Sequence, residues 1–249
     1  MASTSGVPAS PASARDALAR LVDGGGAWTT PWRHAVGALD PATARDAAVL
    51  VLFGVLDGAP GAAPSTVPAD ARTSVRTGVP AGLDVLLLAR AATLGSHPGQ
   101  VAFPGGRVDP GDDGPVACAL REATEETGLD ASGVDVLGTY DPLPLPVSNH
   151  LVTPVLGWWA RRSPVRVVDP GESAHVFSAP VAGLIDPERR RTVEVRRGNR
   201  RWHGPGFLVA DGDREHVVWG FTAGILDALL DELGWTQPWD RDRVVPAPL

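Results

Sequence analysis

Three glutamates, Glu122, Glu125 and Glu126, close the run VACALREATEE. At a helical advance of about 100° per residue they gather on one face, because residues three and four apart are helix neighbours. Like charges at that spacing repel and destabilise a helix unless something offsets them. A hard divalent cation, Mg²⁺ or Mn²⁺, would do so, since it takes carboxylate oxygens and commonly a substrate phosphate as well. Upstream lie Gly105 and Gly106 in FPGG, where the backbone can approach a ligand that a side chain would exclude. A glycine turn leading into a carboxylate-faced helix points to metal-assisted hydrolysis of a phosphoanhydride. For REATEE alone, the alternative is an amphipathic helix whose acidic face is simply solvated.

The elements that would position these residues follow from periodicity. Val116, Ala119, Leu120, Ala123 and Thr127 form the adjoining, apolar face of the glutamate helix. The continuous apolar run 47–56 predicts a strand buried on both faces. Further strands are expected at 84–90, 100–103, 134–140, 151–160 and 175–180, and a helical turn at 181–185. RGN at 197–199 marks a hairpin between 192–197 and 200–209. A DGD turn leads to a strand at 216–220 and then to a last helix, with Ile225, Leu226, Leu229, Leu230 and Leu233 at helical spacing. A short helix is expected at 14–22, an irregular arm packing its tryptophans at 28–41, a long exposed loop at 57–80, and an extended PLPLP connector. Strands with few helices, out of strict alternation, argue α+β with a mixed sheet.

Composition bounds the chemistry. The 249 residues are 43% hydrophobic and carry a net charge of −7, so the overall field favours neither nucleic acid nor an anionic membrane. No apolar run approaches a membrane span, and MASTSGVPASPASAR lacks the pattern of a secretory signal. Cys118 is the single cysteine, which excludes an internal disulfide and suits a reducing cytoplasm. There is no lysine, which removes a Walker A lysine, a Schiff-base lysine and a lysine base together. The six histidines show no HExxH spacing, so zinc is not expected; His97 lies near the glycines. No GxSxG supports a serine hydrolase.

Gly106, Arg121, Glu122, Glu125, Glu126, Gly128 and Leu129 resemble the Nudix box, G-x5-E-x7-R-E-U-x-E-E-x-G-U with U a bulky aliphatic. Ala123 is a small residue at the first U. The first acid departs from the pattern: Asp112 has the correct spacing from the glycine, Asp113 the correct spacing to Arg121. Upstream, LLLAR at 86–90 with Gly99 and FPGG resembles the coenzyme A pyrophosphatase signature LLTxRSx3Rx3Gx3FPGG. Arg90, Gly99, Phe103, Pro104, Gly105 and Gly106 match; Leu88, Ala91 and Gly95 replace Thr, Ser and the second Arg. The longer spacing before Arg121 and the segment 217–230 are also similar to that subfamily.

The resemblance implies an α+β Nudix fold, a mixed β-sheet sandwiched between helices. Small, polar, proline-bearing composition predicts a disordered tail at 1–12, followed by an N-terminal helix and arm at 13–44, and the resemblance assigns 45–249 to the Nudix domain. The resemblance implies Glu122, Glu125 and Glu126 as Mg²⁺ or Mn²⁺ ligands, and Glu125 as the residue that orients or deprotonates the attacking water. Arg121 would orient the carboxylates. Arg90, Gly99, Phe103, Gly105 and Gly106 would meet substrate, with Asp112 and Glu172 as additional acids. The expected reaction is cleavage of the diphosphate of coenzyme A or its acyl derivatives to 3′,5′-ADP and 4′-phosphopantetheine. Another nucleoside diphosphate, such as ADP-ribose or a dinucleotide, is the alternative substrate, and a non-catalytic nucleotide sensor is a third reading. The expected partner is a small-molecule substrate, with a homodimer left open. Arg189–Arg191 and Arg196–Arg201 could meet a CoA 3′-phosphate or pair with local acids such as Glu188 and Glu194. Of Trp158 and Trp159, one is expected in the core and the other at the cleft. Cys118 is expected to pack rather than react.

Overall fold

A computed structural model describes residues 10–28, 39–40, 42–55, 79–92 and 99–248. Residues 1–9 of the expected tail, most of the arm including Trp32, most of the long loop, and His97 lie outside the described residues. Residues 11 and 12, expected in the tail, belong to a helix. Ser10 caps this helix, α1 (Pro11–Asp23), whose Ser10 and Ser13 bond reciprocally in a capping box, satisfying amide groups a helix start leaves open. Pro11 fits because its missing N–H is not needed in the first turn.

Among the described residues, an eight-stranded sheet contains β1 (Arg45–Val55), β2 (Leu83–Arg90), β3 (Val101–Ala102), β4 (Gly105–Arg107), β5 (Val134–Thr139), β6 (Leu143–Leu145), β7 (His150–Trp159) and β8 (Ser173–Pro180). Its central path runs β3-β2-β1-β7-β5, with β4 also on β1, β6 on β7 and β8 on β2. The β1–β7 pair is parallel and the others antiparallel, so the sheet is mixed. The PLPLP connector contributes β6. A second sheet, β11-β10-β9-β12, comprises β9 (Arg190–Arg197), β10 (Arg200–Asp211), β11 (Arg214–Val218) and β12 (Val244–Pro246). The RGN hairpin stands as expected; β12, parallel to β9, was not foreseen.

Strict alternation along β1 divides the core in two. Ala48, Leu50 and Leu52 join Cys118, Ala119, Ala123 and Leu129 on one face, under helix α2 (Gly114–Thr127). Val51 and Phe53 point the other way, towards Ala14 and Leu18 of α1 and Ile225, Leu226 and Leu229 of the last helix. That helix is α4 (Gly220–Glu232), and α3 (Val181–Leu184) is the expected helical turn. Burying both strand faces is why β1 is a continuous apolar run. Helices on both faces make this an α+β sandwich. Trp158 and Trp159 point to opposite faces, and both are buried; neither is left to line a cleft. Trp28 packs on Tyr140 and donates to the Asp141 carbonyl at 2.8 Å. No helix among the described residues is long and apolar enough to cross a membrane.

Candidate active site

The glycines form a strand, where a turn was expected. Gly105 and Gly106 pair with Val49 and Ala48 of β1. A Cβ on Gly105 would come within 3.0 Å of the β1 backbone, and one on Gly106 within 3.0 Å of the Glu122 carboxylate. Only glycine lets the strand lie against β1 and leaves room for that carboxylate. Behind it, α2 starts with Pro115 in its first turn and ends at Gly128, whose φ of 69° is left-handed. Its apolar face is the one periodicity identified: Ala119, Ala123 and Thr127 are buried, and Val116 and Leu120 pack on the same cluster.

Arg121 is the hub. Its Nε and Nη2 donate to the two oxygens of Asp112 at 2.9 and 2.8 Å, a bidentate fork. Its Nη1 donates to Glu122 at 2.9 Å and to Glu125 at 3.0 Å, and Nη2 also reaches the Arg107 carbonyl at 3.2 Å. Of the two acids competing for the first acidic position, Asp112 is therefore the one brought to the arginine. Asp113 only precedes the helix, and its side chain makes no capping bond. The Arg121 hydrogen bonds, with the Asp109 N–H, hold the Asp112 carboxyl down at about 2. Asp112, and then Glu122, hold the Arg121 proton more firmly than usual.

Glu126 is the buried member of the trio, 8% exposed. Burial pushes its carboxyl up to about 7, against the Gly105 N–H that donates to it at 2.9 Å. Glu122 is also raised, by burial first. Glu125 is the open one, its side chain 59% exposed. The charges of Arg90 and Glu172 both act on Glu126, the first lowering and the second raising its pKa. The β2–β8 pairing sets that meeting: Arg90 lies opposite Ser173, next to Glu172. The carboxylates outnumber the cations beside them: Arg121 is shared among Asp112, Glu122 and Glu125, and Glu126 is pressed towards its neutral form. An all-oxygen donor set of this kind fits a hard cation such as Mg²⁺ or Mn²⁺.

Other expected residues are placed as follows. Phe103 is 3% exposed and its ring packs in the core on the α4 side. Gly99 is left-handed, with φ 68°. Cys118 is buried, its Sγ 3.6 Å from the Gly106 carbonyl, and burial pushes the thiol up to about 11. Arg190, in the run expected either to meet a phosphate or to pair with local acids at the surface, is fully buried against Asp227. Glu188 pairs with Arg243 at 2.8 Å, and Glu194 with Arg196. Scattered in sequence, His175, His216 and Asp211 converge in space. No spacing rule could find that group, since it spans β8, β10 and β11.

Residues 75–206 match the NUDIX domain family. Nudix hydrolase 15, mitochondrial, of Arabidopsis thaliana is 38% identical over 58% of this chain and 50% of its own length. The Nudix hydrolase NudL of Cronobacter sakazakii is 38% identical over 60% of this chain and 75% of its own. The chain thus spans about half the length of the plant relative. A solved Nudix hydrolase from M. smegmatis, RenU, is 23% identical over 55% of this chain and 70% of that one, with a TM-score of 0.38.

Proposed function

The chain belongs to the Nudix domain family, and from that premise we propose that it is a metal-dependent pyrophosphohydrolase cleaving a nucleoside diphosphate, with coenzyme A or an acyl-CoA as substrate. One observation supports this most: a single arginine holds Asp112, Glu122 and Glu125 in one array while the Gly105 N–H holds Glu126. In the proposed reaction a water oxygen bonds to one phosphorus of the diphosphate and the bridging P–O bond breaks. With CoA the products are 3′,5′-ADP and 4′-phosphopantetheine.

Glu122, Glu125 and Glu126 would hold Mg²⁺ or Mn²⁺. When bound, such an ion neutralises diphosphate charge and lowers the pKa of a water towards neutrality. The protein's own tasks are positional. Arg121 fixes the rotamers of Glu122 and Glu125, so that the carboxylates need no reorganisation during reaction. Glu125, most open to solvent, is suited to orient the water and accept its proton. Gly105 and Gly106 keep side chains out of the space beside Glu122 and Glu126. Glu172 is proposed as an additional acid because its charge reaches Glu126. The preference for CoA rests on Arg90, Gly99 and the FPGG run in their subfamily spacing. The single buried cysteine suits a reducing cytoplasm.

The test is a substrate panel of CoA, ADP-ribose, NADH and dinucleotides, each with Mg²⁺ and with Mn²⁺, and Glu126→Gln as control. CoA turned over fastest, with the variant inactive, is the expected result. Faster turnover of ADP-ribose overturns the substrate assignment. A folded protein that hydrolyses nothing overturns the enzymatic one.

A further inference from the structure

Away from the glutamate helix, two imidazoles and a carboxylate converge where the two sheets meet. His175 comes from β8 of the large sheet, Asp211 from the end of β10, and His216 from β11 of the small one. One donor atom from each lies within 4.8 Å of the others. The His175 Nε2 is hydrogen-bonded to an Asp211 oxygen. The His216 Nε2 is 3.8 Å from that same oxygen, too far for a hydrogen bond. It is nevertheless buried, with no hydrogen-bond partner among the described residues. The imidazole rings are 6.0 Å apart and nearly parallel, and Phe177 stacks on His216 at 4.5 Å.

A His–Asp pair accounts for one histidine. It does not account for a second imidazole whose buried nitrogen faces the same carboxylate oxygen. A buried ring nitrogen without a partner is costly, and a cation accepting both imidazoles and the carboxylate would satisfy all three at once. We propose that His175, Asp211 and His216 form a binding site for a divalent transition metal of the Zn²⁺ class. Imidazole donors select such metals, whereas all-oxygen sites suit Mg²⁺. Three protein ligands leave a position for water, as in open zinc sites. The site is separate from the glutamates. Val176 faces the α2 cluster while Phe177 packs on the opposite side of the sheet, so His175, which alternates with Val176, points away from α2. The bound ion would tie the small sheet to the large one.

The test uses the full chain, stripped of metal by chelation and titrated with Co²⁺ under excess Mg²⁺, read by visible absorption. One equivalent is expected to bind, to show a nitrogen-ligated ligand-field spectrum, and to be displaced by Zn²⁺. Loss of an outer-shell partner alone typically weakens metal binding 10–100-fold, so removal of a ligand in His216→Ala should weaken it about 100-fold or more. Glu126→Gln should leave the spectrum unchanged. Should His216→Ala unfold early in chelator, His175→Gln and Asp211→Asn carry the same comparison. Zn²⁺ should also raise the melting temperature of the wild type and not of the ligand variants. Co²⁺ uptake that survives the histidine variants but is lost in Glu126→Gln overturns the proposal, as does no uptake under excess Mg²⁺.

Discussion

Arg121 and Arg190 each grip a carboxylate, in very different settings. The Arg121 side chain is 27% exposed, and its hydrogen-bond partners lie within 14 residues of it in sequence. Arg190 is fully buried; its partner Asp227 is 37 residues on, and its guanidinium lies 4.4 Å from the Phe207 ring centre and 4.7 Å from that of Trp239. An ion pair near solvent contributes little to stability, so the Arg121 network matters for where it holds the carboxylates. A buried pair is worth little against an apolar replacement, but losing one partner strands a charge. The first region should therefore fail in activity while folded, and the second should fail by unfolding.

The largest effect is expected at Glu126. If the proposed function holds, Glu126→Gln removes a metal ligand worth several kcal/mol of charge stabilisation, on the order of a 10³-fold loss in kcat. Burial already disfavours its charged form, so the melting temperature at pH 8 should hold or rise. A variant that loses fold and activity together would erase the distinction between the regions. Next comes Arg190→Met, expected to cost about 3–5 kcal/mol by leaving Asp227 buried and unpaired. Chemical denaturation measures it. The double variant Arg190→Met with Asp227→Leu should recover most of that loss, and activity per folded molecule should not change. No recovery would mean that Arg190 acts through its ring contacts instead.

The same contrast explains what the sequence revealed. Arg121 and its acids lie on one helix and the loop before it, so periodicity groups the glutamates and the resemblance to the Nudix box adds Arg121 and the acid ahead of it. Even there, spacing could not separate Asp112 from Asp113, because the choice depends on which side chain turns towards the guanidinium. Gly105 and Gly106 read as a turn since two glycines carry no alternating pattern; the strand exists because β1 lies alongside to pair with it. Arg190 looked like one more surface arginine in RRR. Only Asp227, Phe207 and Trp239, all distant in sequence, make its position an interior one. β12 and the histidine cluster were missed for the same reason: each is defined by partners on other strands.

A smaller effect tests geometry separately from charge. Arg121→Lys keeps the positive charge but cannot form the bidentate fork on Asp112 while also holding Glu122 and Glu125. Partners that orient metal ligands are typically worth 10–100-fold, so kcat should fall by about that factor. Stability should fall by about 1 kcal/mol or less, since these pairs lie near solvent. Full activity in the lysine variant would show that Arg121 supplies only charge, and the contrast with Arg190 would lose its functional half.

The smallest expected effect is in acid. The Asp112 carboxyl is held at about 2, against an ordinary 3.8, chiefly by the Arg121 fork. A depressed carboxyl stabilises the fold above its unfolded-state pKa, and that contribution fades as pH falls through the folded value. Between pH 3.8 and about 2, the wild type should therefore lose stability that Asp112→Asn never had. Melting temperatures measured down that window should converge, with the wild type falling faster than the variant. Parallel curves would mean that the fork does not hold Asp112 in solution, and that Arg121 grips Glu122 and Glu125 without it.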